Sequence, residues 1–364
     1  MNYNTIKQPA PAPPRKKTLI RGIQIFIFFS LIGIIGGFWW KKPADIDSLL
    51  NHFNLFIFMG ILLLVALNYF LGGLRFRIFF NGKPLPLISL WNCIRADWAN
   101  TFVGTVTPFQ TGGGPAQLYI LWRCGAKVSD VALVALLNFS STLIFFLVAS
   151  AFAIVIIPAD LMGPNFTVFI RSSFVFITLL FGLILTVLFY SNVGLYLVKK
   201  ILFLIPIKIP KFVHLREQLL NTLQNEISHF EHSFRNILKT QKWLLLFNFV
   251  VTAALYFSKY LIGFLIAISL EKIIPFTVFI GLQIIQLVFL YFTPTPGGSG
   301  LAELSSTWLI GFLVSEGNIL YFTIFWRFFT TILGAAIGGI VLFLDMKSWL
   351  NNTVPSFSAE ENES

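Results

Sequence analysis

Residues 107–117 read TPFQTGGGPAQ, and residues 293–303 read TPTPGGSGLAE. Aligned without a gap, the two stretches share the pattern T-P-x-x-x-G-x-G-x-A-[QE]. Each interrupts an apolar segment, and each has a polar residue eleven positions before its first proline, Asp97 in one copy and Gln283 in the other. Two Pro/Gly interruptions at corresponding places predict a membrane protein with an internal repeat and a site at the interruptions.

The composition around these stretches is that of a membrane protein. Of 364 residues, 56% are hydrophobic and 11% are charged, against about 25% charged in a soluble domain. The apolar residues come in blocks of about twenty, the length that spans a bilayer core. We expect an all-α polytopic fold. Hydropathy predicts six full transmembrane helices, at residues 20–40, 53–71, 131–157, 166–190, 243–270 and 319–344.

The two interrupted segments are predicted to be re-entrant hairpins, at residues 88–123 and 273–316. Each then enters and leaves on one face, so the first repeat, 20–157, and the second, 166–344, hold three full crossings each. Because three is odd, the second repeat is inserted upside down relative to the first. This inverted arrangement allows the two hairpin tips to meet near the middle of the bilayer.

Lysine and arginine in short loops predict the orientation, because positive residues are retained in the cytoplasm. The basic tail at 1–19 lies inside, as do the loop with Arg75 and the insert at 191–242. The insert has apolar residues at helical spacing, which predicts an amphipathic helix on the cytoplasmic leaflet. With a polar tail at 345–364, we expect a multi-pass protein of the cell membrane with both termini in the cytoplasm.

The interruptions also predict a binding site. Broken backbone inside a membrane is tolerated only within protein or at a wet cavity. Glycines let backbone approach a ligand, and returning helices that begin near Pro115 or Leu301 would aim free N–H groups at an anion such as phosphate. The alternative is that the glycines only allow tight helix packing. The candidate substrate-binding residues are Thr107, Pro108, Gly112, Gly113, Gly114, Gln117, Pro294, Pro296, Gly297, Gly298, Gly300, Glu303 and Arg327.

Charged residues within the apolar segments are further candidates, because a charge at the bilayer centre costs about 2.5 to 3.5 kcal/mol on insertion scales. Glu303 and Arg327 are predicted to form an ion pair, which either serves the site or only holds the hairpin in place. Arg327 could equally bind a lipid phosphate. The secondary candidates are Arg95, Asp97, Arg123 and Lys259. For the two arginines the alternative is snorkelling to the cytoplasmic interface.

No metal, cofactor or nucleic-acid partner is expected. Glu226, His229 and His232 have a spacing that could place three ligands on one helical face, but the segment is polar and a solvated face is favoured. The glycines at 112–114 lack the lysine of a nucleotide-binding loop. The net charge of +11 is spread over the N-terminal tail, loops and the insert, which favours an anionic lipid surface as partner.

The strings at 107–117 and 294–303, together with Arg123, Gly125 and Trp326-Arg327, resemble the membrane region of lysylphosphatidylglycerol synthases, and most closely its stand-alone flippase-like members. The resemblance covers residues 20–344. It implies handling of phospholipids, chiefly the flipping of aminoacylated phosphatidylglycerol to the outer leaflet. The full synthases also carry a soluble C-terminal domain that transfers lysine from tRNA. This chain is expected to lack that domain and not to be an enzyme.

The residues and the resemblance together predict a protein that binds and translocates a phospholipid or a lipid-linked anionic headgroup. Its partners would be membrane phospholipids and an enzyme that makes the lipid. Three alternatives remain open. One is a membrane-embedded transferase with Asp97 or Glu303 as general base, another is an ion or small-solute carrier, and the third is a structural partner of other membrane enzymes.

Overall fold

The computed structural model describes residues 54–158, 210–271 and 273–353, with isolated helical positions between 20 and 35 and between 172 and 186. Within this part of the chain every regular element is a helix, apart from one isolated bridge between Asn81 and Leu87. The prediction of an all-α fold is therefore confirmed for the described residues. The predicted spans at 20–40 and 166–190 fall outside the continuously described ranges.

The continuous ranges contain ten α-helices, numbered here in chain order. They are α1 (Leu55–Arg77), α2 (Leu90–Thr105), α3 (Gly113–Arg123), α4 (Val128–Ile156), α5 (Pro210–Thr240), α6 (Lys242–Leu270), α7 (Phe276–Tyr291), α8 (Leu301–Leu309), α9 (Ile319–Arg327) and α10 (Leu333–Thr353). Short 3-10 turns lie between α2 and α3 (Pro108–Gln110), between α7 and α8 (Pro296–Gly298) and after α8 (Ile310–Phe312). A π turn, Phe328–Ile332, joins α9 to α10.

Four helical stretches in the described residues are long and apolar enough to cross a membrane. They are Leu55–Arg77, Val128–Ile156, Lys242–Leu270 and Ile319–Lys347, the last of which runs from α9 through the π turn into α10. Large apolar side chains such as Phe56, Leu63 and Val155 are exposed on these stretches. Such exposure suits lipid as the solvent, because hydrocarbon tails are as apolar as the side chains they cover.

Helix α1 runs further than the sequence predicted. The predicted span ends at residue 71, where hydropathy falls, but the helix continues to Arg77. Gly72 lies inside it and is buried against α2, where an added Cβ would collide with the carboxylate of Asp97. The glycine therefore allows two helices to pack closely and does not end the helix. Arg75, which was assigned to a cytoplasmic loop, consequently lies within α1.

The two interrupted segments each form a helix, a break and a second helix. We call α2 and α3 the first broken segment, and α7 and α8 the second; in both, the two helices contact each other. The 3-10 turns at the breaks also contact each other. Both turns have a left-handed middle residue, Phe109 with φ 52° and ψ 19°, and Gly297 with φ 57° and ψ 18°. The middle residue of the turn thus has the same backbone conformation at both breaks, whereas the residue after the turn differs, with ψ −27° at Thr111 and ψ 140° at Ser299.

The backbone correspondence between the breaks differs from the gap-free sequence alignment by two residues. Pro108 opens the first turn and Pro296 opens the second. The returning helices begin at Gly113 and Leu301, each five residues after its proline. The alignment matched Pro108 with Pro294, which belongs to the longer connection that leads out of α7. That equivalence does not hold for the backbone.

Helix α5 is the main described part of the predicted insert. It packs against α4 and contacts α6. Its apolar residues Phe230, Phe234 and Ile237 are buried in the hydrophobic core. The C-terminal half of this helix is thus part of the helical bundle, and its apolar face meets protein.

The polar face of α5 contacts the first turn of α4. The Ser129 N–H donates to Glu226 Oε2 at 2.9 Å, and His229 Nδ1 lies 3.4 Å from Asp130 Oδ1. The interpretation of this face as solvated is therefore wrong for Glu226 and His229, whereas His232 is exposed. In the described part of the chain, no group of three His, Cys, Asp or Glu side chains is placed to hold a metal ion.

Candidate functional site

A polar cavity of about 260 Å³ lies between the two broken segments. Its walls come from helices α1, α2, α6, α7, α9 and α10 and from the π turn, and each 3-10 turn contributes one residue, Gln110 and Gly297. Most of the lining side chains are polar or aromatic. The breaks therefore do border a cavity, as the sequence predicted, but helices on all sides complete it.

Charged side chains give this cavity a positive balance. Arg75, Lys259 and Arg327 line it, and Asp97 is the carboxylate among the described lining residues. Glu303, which pairs with Arg327, stands behind the lining. Even when that carboxylate is counted, three positive groups face two negative ones. Charges interact more strongly here than in water, because the surrounding dielectric is low, so the cavity favours an anion.

Asp97 and Lys259 were secondary candidates in the sequence, and the structure brings them to the same cavity. The Asp97 carboxylate interacts electrostatically with Arg75 and with Lys259. The Lys259 ammonium also lies 5.5 Å from the centroid of the Tyr256 ring, within the range of a cation–π interaction. The sequence could not name a partner for Lys259; the structure provides Asp97 and Tyr256.

Arg75 is the functional candidate that the sequence missed. Its Nη2 donates to Thr142 Oγ1 at 2.9 Å and to the Asn138 carbonyl oxygen, so α4 fixes the guanidinium at the cavity wall. The signal available in the sequence was weak. Arg75 follows its apolar run by only a few residues, after a Gly-Gly pair, and glycine is enriched where membrane helices pack.

Arg327 and Glu303 form the predicted ion pair. Arg327 Nε lies 3.5 Å from Glu303 Oε1, and Arg327 Nη1 donates to the Gly297 carbonyl oxygen at 2.7 Å. Both side chains are buried, with 5% of Arg327 and 8% of Glu303 exposed. The pair thus ties the break of the second broken segment to the end of α9, which favours a structural role in addition to its place at the cavity.

The N-terminus of α8 is occupied by the chain itself. The Gly300 N–H donates to Glu303 Oε2 at 2.7 Å, and Glu303 is the third residue of the helix that begins at Leu301. A carboxylate at this position satisfies a free N–H and complements the helix dipole. The N–H group at Gly300 is therefore already taken and is not available to a substrate phosphate.

Two of the three glycines of the first break, Gly112 and Gly113, lie where a side chain would not fit. The Thr107 hydroxyl donates to the Val103 carbonyl oxygen at 2.7 Å and accepts from the Gly112 N–H at 2.9 Å. A Cβ added at Gly113 would collide with Asn100 on α2, whereas one at Gly114 would meet nothing within 4 Å. The packing interpretation thus fits the first two glycines.

Few of the substrate-binding candidates reach the cavity. Gly297 and Arg327 line it. Gln117 is buried on α3, two helical positions past the one that corresponds to Glu303. Pro108 and Pro294 are exposed, whereas Pro296 and Gly298 are buried.

Arg95 and Arg123 lie together at another place. Arg95 forms an ion pair with Asp345 on α10. Arg123 Nη1 donates to the Asp345 carbonyl oxygen at 2.8 Å and lies 3.7 Å from its Oδ1. Neither arginine lines the cavity. These two secondary candidates connect both helices of the first broken segment to α10, and their shared partner accounts for them better than snorkelling does.

Apolar spans, an all-helical fold and a charged cavity between broken helices define a polytopic membrane protein. The family model of the lysylphosphatidylglycerol synthase transmembrane region matches residues 23–338, and the chain belongs to that family. The chain is also similar to the UPF0104 membrane protein of Archaeoglobus fulgidus, with 23% identity over 316 residues, 85% of this chain and 92% of that protein. The resemblance found in the motifs is thereby confirmed.

Proposed function

We propose that the protein binds the anionic headgroup of a phospholipid or lipid-linked molecule in this cavity and translocates the lipid across the membrane. The observation that carries the proposal is the excess of positive charge from Arg75, Lys259 and Arg327 over the carboxylates at the cavity. Charged side chains within a membrane are expensive unless they are paired, and they usually mark a substrate path. Membership of a lipid-related family supports the same role.

Arg75 and Lys259 are the side chains proposed to bind the phosphate. Because Arg75 Nη2 already donates twice to α4, the guanidinium would reach a phosphate oxygen through its other N–H groups, and the Lys259 ammonium can approach a second oxygen. Arg327 adds positive charge while it holds Gly297. The cavity has a volume of about 260 Å³. That space admits a headgroup and leaves the acyl chains in the lipid.

The proposal includes the arrangement in the membrane. Six transmembrane helices and two re-entrant hairpins form inverted repeats, with both termini on the cytoplasmic side of the cell membrane. The contact between the two turns and their shared left-handed conformation support this arrangement. Alternating access then consists of one repeat rocking against the other around the cavity.

The proposed protein is not an enzyme, and it works beside an enzyme that makes the lipid. A transferase would need a general base close to its substrate. Both oxygens of Glu303 are engaged, one by the Gly300 N–H and one by Arg327. That leaves Asp97 as the carboxylate at the described cavity, where it faces two cations.

Mass spectrometry of the lipids retained by the gently purified protein tests the proposal. We compare wild type with Lys259→Gln and with Lys239→Gln, a matched control that removes a positive charge from the exposed face of α5. An anionic lipid enriched over the bulk membrane in wild type and control, and depleted in Lys259→Gln, is the expected result. Bulk lipid composition in all three samples would contradict the lipid site.

The lipid so identified is then tested for translocation in proteoliposomes. A fluorescent analogue placed in one leaflet should reach the other faster with wild type than with Lys259→Gln or in protein-free vesicles. Consumption of a soluble donor without movement of the lipid would favour the transferase. Transport of an ion in vesicles that lack the anionic lipid would favour the carrier.

A further inference from the structure

We infer that binding of the lipid anion is coupled to uptake of one proton by Asp97, so that the anion and the proton occupy the cavity together. The inference rests on the proposed function and adds the ion that accompanies the lipid. It follows from the position of one carboxylate, from what holds it there, and from the charges that surround it.

Asp97 serves as the counter-charge to Arg75 and Lys259 before an anion binds. Both cations interact with the Asp97 carboxylate, which offsets their positive charge. An incoming phosphate needs the same two cations. Two negative charges would then share one set of positive partners, and repulsion between like charges favours the neutral form of the group that can accept a proton. A phosphodiester is a far weaker base than a carboxylate, so the proton goes to Asp97.

The carboxylate has little room to move away from the anion. Its Oδ2 lies against Gly72 of α1, in the space that a Cβ at that position would fill. The helices α1 and α2 pack along each other at this point. Because the backbone of one helix confines the side chain of the other, the conflict of charge is relieved by protonation and not by a change of rotamer.

Most of the other groups around Asp97 would not take up a proton when the anion binds. From α1 it faces Tyr69 and Arg75, from its own helix Cys93, and from α6 Lys259 and Tyr256. Arginine keeps its charge, and tyrosine and cysteine are neutral near pH 7 unless strongly perturbed.

The other described charged groups near α2 are engaged elsewhere. Arg77 of α1 donates to the Phe80 carbonyl oxygen at 2.9 Å. Arg327, across the cavity on α9, is paired with Glu303. Asp345 of α10 pairs both with Arg123 of α3 and with Arg95 of α2 itself. Among the described groups near Asp97, Lys259 is the other one that could take up a proton, and a variant of Asp97 separates the two.

The test measures protons taken up on binding. Dioctanoyl phosphatidylglycerol is the probe, because its phosphodiester does not titrate near pH 7. Calorimetric titrations of the detergent-purified protein at one pH, in two buffers with different ionisation enthalpies, give the number of protons per bound lipid. We expect about one proton for wild type, and an affinity that rises about tenfold per pH unit of acidification, because the coupling is reciprocal.

Asp97→Asn should bind the probe without proton uptake. Glu271→Gln is the matched control: its carboxylate lies outside the cavity and accepts from the Ser315 N–H at 2.8 Å, which a glutamine oxygen can also do. This control should still take up about one proton per bound lipid. Uptake that persists in Asp97→Asn, or wild-type binding without any uptake, would overturn the inference. Failure of wild type to bind the probe at any pH would instead remove the proposed function, and the coupling with it.

A second readout does not depend on the stability of a variant. Infrared difference spectra of wild type, recorded as the probe is added, should gain the carbonyl band of a protonated carboxylic acid, shifted in heavy water. Binding without this band would overturn the inference.

Discussion

Replacement of Arg327 by methionine tests whether its pair with Glu303 holds the second broken segment in place. Arg327 donates to the Gly297 carbonyl oxygen at 2.7 Å and lies 3.5 Å from Glu303, with both charged side chains buried. Methionine fills similar space but removes the counter-charge of the carboxylate. Breaking a buried pair by removing one partner destabilises by about 3 to 5 kcal/mol, and we expect a loss of that size here.

A double-mutant cycle isolates the pair. Glu303→Gln keeps an oxygen that accepts from the Gly300 N–H but removes the negative charge. We expect this variant to lose about as much stability as Arg327→Met, since each leaves one buried charge behind. The double variant should lose no more than one single variant, which corresponds to a coupling energy of at least about 3 kcal/mol.

The assay is reversible unfolding of the purified protein in mixed micelles, followed by circular dichroism as the fraction of denaturing detergent increases. Arg235→Met is the control, because this arginine is 70% exposed and lies 4.0 Å from Glu231 on the surface of α5; it should change the stability by less than about 0.5 kcal/mol. If Arg327→Met is as stable as this control, or if the two single losses add in the double variant, the pair does not hold the break.

Two further predictions concern packing and capping. We expect Gly72→Ala to destabilise the protein by about 1 to 3 kcal/mol and to weaken lipid binding, because the new methyl group displaces the Asp97 carboxylate. The control Gly114→Ala places a methyl group that meets nothing within 4 Å, so it should leave the stability unchanged or raise it by about 0.5 to 1 kcal/mol. Equal effects of the two substitutions in the same unfolding assay would contradict this. Glu226→Ala removes the acceptor of the Ser129 N–H and should destabilise by about 0.5 to 2 kcal/mol, with faster hydrogen exchange at that amide. Glu226→Gln keeps an acceptor and should retain most of the protection, so loss in both variants would point to the charge.

The helical fold and the family were predictable from the sequence, because apolar blocks of membrane length and Pro/Gly interruptions are local properties of the chain. The pairing of Glu303 with Arg327 was predictable for the same reason: two opposite charges in apolar surroundings strongly favour contact. Asp97 and Lys259 could be named as candidates from their positions in apolar runs, although nothing in the sequence indicated that they face each other.

The register of the repeat was not predictable, because the second copy contains Thr-Pro twice in succession. Pro294 and Pro296 both offer a match to Pro108, and only the backbone shows that the later one opens the turn. The sequence therefore favoured the match with more identities. It also paired Gln117 with Glu303, although only Glu303 stands at the helix start where a side chain can cap the backbone.

The sequence did not predict Arg75 as a cavity residue, because its position depends on a tertiary contact. Hydropathy alone places a charged residue after an apolar run in the aqueous loop. Here the Thr142 hydroxyl and the Asn138 carbonyl oxygen of α4 accept hydrogen bonds from the Arg75 guanidinium. Helix α1 therefore continues through Arg75, and the side chain lines the cavity. Side-chain partners that lie more than sixty positions away leave no mark on the local pattern.

The π turn after Arg327 gives that residue an unusual freedom. In this turn the Leu333 N–H bonds to the Phe328 carbonyl oxygen, so the turn holds one residue more than an α-helical turn. If the extra residue migrates by one position toward Arg327, the residue that it passes turns by about 100° and shifts by about 1.5 Å, while the rest of the helix keeps its place. A backbone change confined to one helical turn would then swing the Arg327 guanidinium away from the Gly297 carbonyl oxygen.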